Sequence, residues 1–154
     1  MVPVELARAT AKIYVRLAFS QMLRVADRVG DEKVNVRPLG PDTNAVAPTI
    51  IHCCEVAEFW LGHVALGRGS IRNRDAEFSR TATVAELHQL VSGSVEQTVA
   101  DIGRLEAGEG QDEGGRQFLE AGDGSDAAVV LHVLEELYQH LGHMEIAADV
   151  LGPT

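Results

Sequence analysis

Apolar residues recur every three or four positions through four long stretches of this 154-residue chain, and nowhere do they alternate cleanly enough for a strand. That period belongs to the α-helix, where side chains at i, i+3, i+4 and i+7 share one face. The stretches run from about Val4 to Val29, Asn44 to Leu66, Val84 to Glu106, and Ser125 or Asp126 to Leu151. Their ends carry helix signals. Pro3 suits a first turn and Gly30 a stop. Thr43 and Asn44 are both good N-caps for the second helix, Pro48 falls in or just after its first turn, and Gly67 and Gly69 close it. Thr83 with Glu86 makes a capping box for the third, and Gly152-Pro153 ends the fourth.

The connections are "DEKVNVRPLGPDTN", "RGSIRNRDAEFSRTA" and the glycine-rich, acidic "AGEGQDEGGRQFLEAGDGSD", with one short turn expected around Phe118. At about 14 to 20 residues they are long for a simple up-down bundle, but long enough to cross its end or cover a site there. The expected architecture is a single all-α domain over residues 1–154, a four-helix bundle with long connecting loops. The first helix turns Leu6, Ile13, Leu17, Met22 and Val25 among its apolar positions.

A net charge of −10 should repel nucleic acid and anionic membrane surfaces, so neither is an expected partner. No apolar run is long enough to span a bilayer, and Glu5, Arg8 and Lys12 break any secretory pattern near the start. Cys53 and Cys54 are sequence neighbours that pair poorly, so two reduced thiols in the cytoplasm is the simpler reading. A homodimer is compatible with the sequence, which sets no oligomeric state.

The fourth stretch crowds three histidines and two glutamates into "HVLEELYQHLGH". At 100° per residue, with His132 at zero, Val129, Val130, Val133, Leu134, Leu137, Leu141 and Met144 fill an arc from roughly 60° to 200°. His140 falls inside that arc and Glu136 at its edge, an i, i+4 pair directed at the core. His132, His143 and Glu135 read as surface or flank. On the second helix, His52 sits at the margin of the apolar arc, with Glu55, Glu58 and Gly62 on the solvent side and Cys53 inside. A buried carboxylate beside a buried imidazole is costly unless paired or coordinated. Three N/O donors would suit a catalytic divalent ion with an open fourth position. The same residues also fit an ordinary helix pair and a hydrogen-bonded histidine. Trp60 and Tyr138 read mainly as packing residues, and Arg68, Arg72, Arg74 and Arg80 as a solvated cluster that could receive an anion. From these, Trp60 and Arg80 are the candidate substrate-binding residues.

"RPLGPDTNAVAPTIIHCCEVAEFWLGHVALGR", "RDAEF" and "EELYQHLGHMEIAADVL" resemble the DinB-like superfamily, closest to the N-terminal domain of mycothiol-dependent maleylpyruvate isomerase. The resemblance covers nearly the whole chain. It implies a four-helix bundle that holds a divalent metal, usually zinc or nickel. The implied ligands are a His on the second helix and a Glu-x-x-x-His pair on the fourth, here His52, Glu136 and His140. Another branch uses His-x-x-x-His, which would need histidine where this chain has Met144; His143 is the alternative third ligand. The isomerase carries a further C-terminal domain that these 154 residues do not include, so its own reaction is not the expected one. The resemblance implies a metal-dependent S-transferase that joins mycothiol to an electrophilic small molecule. The alternatives are a non-catalytic metal- or ligand-binding bundle and a metal-dependent hydrolase.

Overall fold

Two helices, α1 (Arg8–Lys33) and α2 (Val46–Ala57), are followed by a π-helical segment (Glu58–Ala65), a one-turn α3 (Arg74–Glu77), α4 (Val84–Glu106) and α5 (Asp126–Leu151). This computed structural model describes residues 7–111, 115–119 and 123–152, among which there is no strand. The helix start expected at Pro3 and Val4, and the stop at Pro153, lie outside the described residues. A 3₁₀ turn at Arg116–Phe118 falls where a short turn is expected.

The caps show how local chemistry sets the boundaries. Thr83 and Glu86 close the capping box of α4, and the Ser125 hydroxyl accepts from the Ala128 N–H at the start of α5. Gly30 interrupts α1 rather than ending it. Its φ of 65° breaks the regular helix, and one further turn follows, closed by the Val34 N–H donating to the Gly30 carbonyl. Neither Thr43 nor Asn44 caps α2. Ala45 takes the N-cap position, and Thr43 instead closes the preceding loop by donating to the Gly40 carbonyl. The buried start of α2 is served by backbone, since the Ala47 N–H donates to the Val34 carbonyl at 2.8 Å.

Around the bundle, α1 packs against α4 and α5, and α2 packs against the same two. Helices α1 and α2 therefore face each other across one diagonal, and α4 and α5 across the other. A chain passing between diagonal partners must cross an end of the bundle, which accounts for the length of the α1–α2 and α4–α5 connections. Phe19, Met22, Ile50, Leu61, Leu87, Ile102, Leu105, Leu137 and Met144 fill the core. Of the apolar positions assigned to α1, Met22 and Val25 are buried, Ile13 and Leu17 face out, and Leu6 lies outside the described residues.

The π-helical segment departs from the helical wheel. Its wider i→i+5 turn rotates everything after Ala57. Gly62, placed on the solvent side by a 100° wheel, is buried instead. The Arg68 side chain covers it, held by Glu58 (Nε to Oε1 2.7 Å) and by the buried Asp101 (Nη2 to Oδ2 2.6 Å). An added Cβ at Gly62 would stand 2.2 Å from Arg68 Nη2.

Candidate metal centre

Helix α2 brings His52 into the bundle, and α5 brings Glu136 and, one turn later, His140. His52 is buried rather than marginal, at 7% exposure. Its Nε2 lies 3.9 Å from Glu136 Oε2, and His140 Nε2 lies 3.3 Å from the same oxygen. The two imidazole rings meet edge to face with centroids 4.6 Å apart. One donor atom from each of the three residues falls within 4.8 Å of the others. Tetrahedral ligands about 2.1 Å from a zinc ion stand roughly 3.4 Å from one another, so the donors need only small adjustments to hold one. The neighbouring imidazoles of His140, first, and His52 outweigh partial burial and hold the Glu136 carboxyl far below the usual carboxylate range. The donor set is thus two nitrogens and a firmly ionised carboxylate, which fits a borderline divalent ion.

Behind His52 lies a residue the helical pattern does not single out. The last residue of α3, Glu77, is 1% exposed, and its Oε2 is 2.5 Å from His52 Nδ1. Arg72 grips the same carboxylate, Nε to Oε1 at 2.5 Å and Nη2 to Oε2 at 3.1 Å. Burial would raise Glu77, but the bonds from Arg72 and His52 reverse the sign and hold it below its ordinary value. Burial and a hydrogen bond with Glu77 push the Glu55 carboxyl up. Phe78 lies against the His52 ring at 4.6 Å. The only sequence signal for this arrangement was the "RDAEF" block, preceded by Asn73, whose side chain accepts from the Ala76 N–H and starts the turn.

His52 and Glu136 line a cavity of about 1200 Å³. Val56, Phe59 and Trp60 form one wall, Leu131, His132 and Gln139 of α5 another, and Leu119, Asp123 and Ser125 of the α4–α5 connection a third. His132 is therefore not a plain surface residue. It packs edge-on against Trp60 at 4.6 Å, with Nδ1 3.3 Å from Glu135 and Nε2 3.9 Å from Glu136. His143 is exposed, its ring centroid 5.7 Å from that of His140. Arg80 is held in an ion pair with Glu55 and does not line the cavity; Arg72 and Arg74 do. Arg72 is committed to Glu77 and to the face of Phe59, whereas Arg74 has no ion-pair partner among the described residues. Cys53 and Cys54 are free and buried. Burial first, then neighbouring Cys54 and Glu136, push the Cys53 thiol well up; burial pushes Cys54 up to about 12.

The family model of the DinB superfamily matches residues 15–144, a span that includes His52, Glu77, Glu136 and His140. The chain belongs to the DinB superfamily. No curated protein and no solved structure matches it. The DinB superfamily includes metal-binding members, and in this DinB protein the His–Glu–His cluster is a group able to hold one ion. Among the described residues no helix is long and apolar enough to cross a membrane.

Proposed function

We propose that this DinB protein is a metal-dependent S-transferase that joins mycothiol to an electrophilic small molecule, with His52, Glu136 and His140 as the metal ligands. One observation carries the reading: three N/O donors converge, and two of them, His52 and Glu136, line a large cavity. Structural zinc sites are closed by four protein ligands, while catalytic ones use three and leave a position open. Two imidazoles and a carboxylate are a known catalytic zinc set, and zinc first with nickel second is what the likeness to the isomerase branch suggests. A divalent ion held there lowers the pKa of a thiol bound to it, so that the thiol reacts as thiolate at neutral pH.

The chain's own residues account for the rest. At about 1200 Å³ the cavity exceeds the roughly 300–1,000 Å³ of ordinary single-ligand sites, room enough for a thiol and its acceptor together. Trp60, Phe59 and Leu131 offer apolar surface to the acceptor, and Arg74 offers an unpaired cation to an anionic group on either molecule. Neither cysteine is placed to attack, because both are buried and held protonated; the nucleophile comes from outside. Mycothiol as that nucleophile rests on the likeness to the isomerase branch.

The test is a transfer assay with zinc-loaded protein, a model alkylating electrophile, and mycothiol, glutathione or no thiol. Mycothiol adduct should form faster with holo- than with apo-protein. Consumption of the electrophile at the same rate without thiol would point to activated water, and equal rates in holo- and apo-protein to a binding protein without turnover.

A further inference from the structure

We propose that Glu77 is a positioning residue that acts through His52: its carboxylate accepts the Nδ1–H and leaves Nε2, on the side of Glu136 and His140, as the metal-binding nitrogen. The inference rests on the metal reading above and deepens it. The two nitrogens of His52 already have separate neighbours. Nδ1 is 2.5 Å from Glu77 Oε2, and Nε2 is turned toward Glu136 at 3.9 Å. A neutral imidazole whose Nδ1 is committed as a donor has Nε2 as its free lone pair, the one a metal takes.

Glu77 is itself held. Arg72 occupies both of its oxygens, so the carboxylate can neither swing into the donor group nor turn away from the ring. Phe78 on the ring face restricts a flip that would exchange the nitrogens. Arg72 also lies over Phe59 at 5.2 Å and lines the cavity, so the support runs unbroken from cavity wall to donor atom. His140 has no such carboxylate behind it: among the described residues its ring nitrogens meet only Glu136. A buried charge in a core position that a leucine could fill makes sense where it orients something.

The Nδ1 proton is read directly by ¹⁵N–¹H NMR of the metal-free wild-type protein at about pH 8. His52 should appear with Nδ1 protonated. Zinc affinity, measured by competition with a chromophoric chelator, should fall about ten- to a hundred-fold in Glu77→Gln, which keeps the shape and removes the charge. It should fall similarly in Glu77→Asp, which keeps the charge and shortens the reach. A His52 whose Nδ1 carries no proton in the wild type overturns the inference. So does a folded Glu77→Asp protein whose affinity stays within about two-fold of wild type. A misfolded Glu77→Gln leaves both of those measurements in place. If wild-type protein binds no zinc, the metal reading falls, and the tautomer alone decides on Glu77.

Discussion

On α5, histidines two turns apart have different tasks. His140 turns into the bundle beside Glu136, while His132 turns toward Trp60 and the cavity. His140→Ala should therefore lose most bound metal, and His132→Ala should keep it while weakening whatever packs on Trp60. Elemental analysis of the purified variants checks the pair, and equal metal in wild type and His140→Ala would remove the site. Glu136→Gln should weaken metal binding far more than His143→Gln, because the carboxylate lies between two imidazoles and His143 is exposed. The reverse ranking would put His143 in the ligand set. The thiols make a prediction in pH. Unfolded cysteine titrates near 8.5, and both thiols here are raised above that by burial. Between the two values the folded state binds more protons than the unfolded one, so their contribution is intact below about pH 8.5 and is lost as pH rises further. Alkylation followed by mass spectrometry at about pH 8 should find both thiols silent in native protein and reactive in denaturant. Rapid native labelling would contradict the burial.

Between elements, the cover over the π-helical segment is the feature most open to test. Arg68 ties Glu58, the buried Asp101 and the surface of Gly62 together. Arg68→Ala would leave Asp101 with only the Gln97 amide, and should cost about 2 kcal/mol in chemical denaturation. Gly62→Ala should be destabilising alone and much less so in the Arg68→Ala background, since the clash is with the guanidinium and with the Glu58 carboxylate that it holds in place. Simple additivity of the two would mean that the helix itself, not Arg68, excludes the methyl group. On α4, Thr83→Ala should cost about 1 kcal/mol through loss of the capping box. That box was legible in the sequence because both partners lie within one turn, and so was the Ser125 cap. The inward set of α5 was legible because a regular helix keeps its 100° step from Val129 to Met144. The step fails at Glu58, where the turn widens, and with it the placing of Gly62. Glu77 stayed hidden for another reason. Its partners, His52 and Arg72, are joined by tertiary contact, and a four-residue helix in an arginine-rich loop has no period to read.

For the whole molecule, the proposed ligands join α2 to α5, one member of each diagonal pair, across most of the length of the chain. An ion held there binds only the folded state. Zinc at about 100 times its dissociation constant should add about 2.7 kcal/mol and raise the melting temperature by roughly 5–10 °C, reversibly on chelation. An unchanged melt with zinc bound would mean that the ligands come from one element alone. The cavity has a different distribution. Its reactive wall stands on long helices packed into the core, while Leu119, Asp123 and Ser125 stand on the connection that crosses from α4 to α5. Arg116 fastens that crossing to the Ala65 and Gly124 carbonyls and to Asp126. Insertions and substitutions in a crossing of this kind disturb neither helix packing nor the donor atoms. One wall of the cavity can therefore vary with the sequence of the crossing, while the wall made by Trp60, Phe59 and Leu131 is tied to the same helices that carry the proposed ligands.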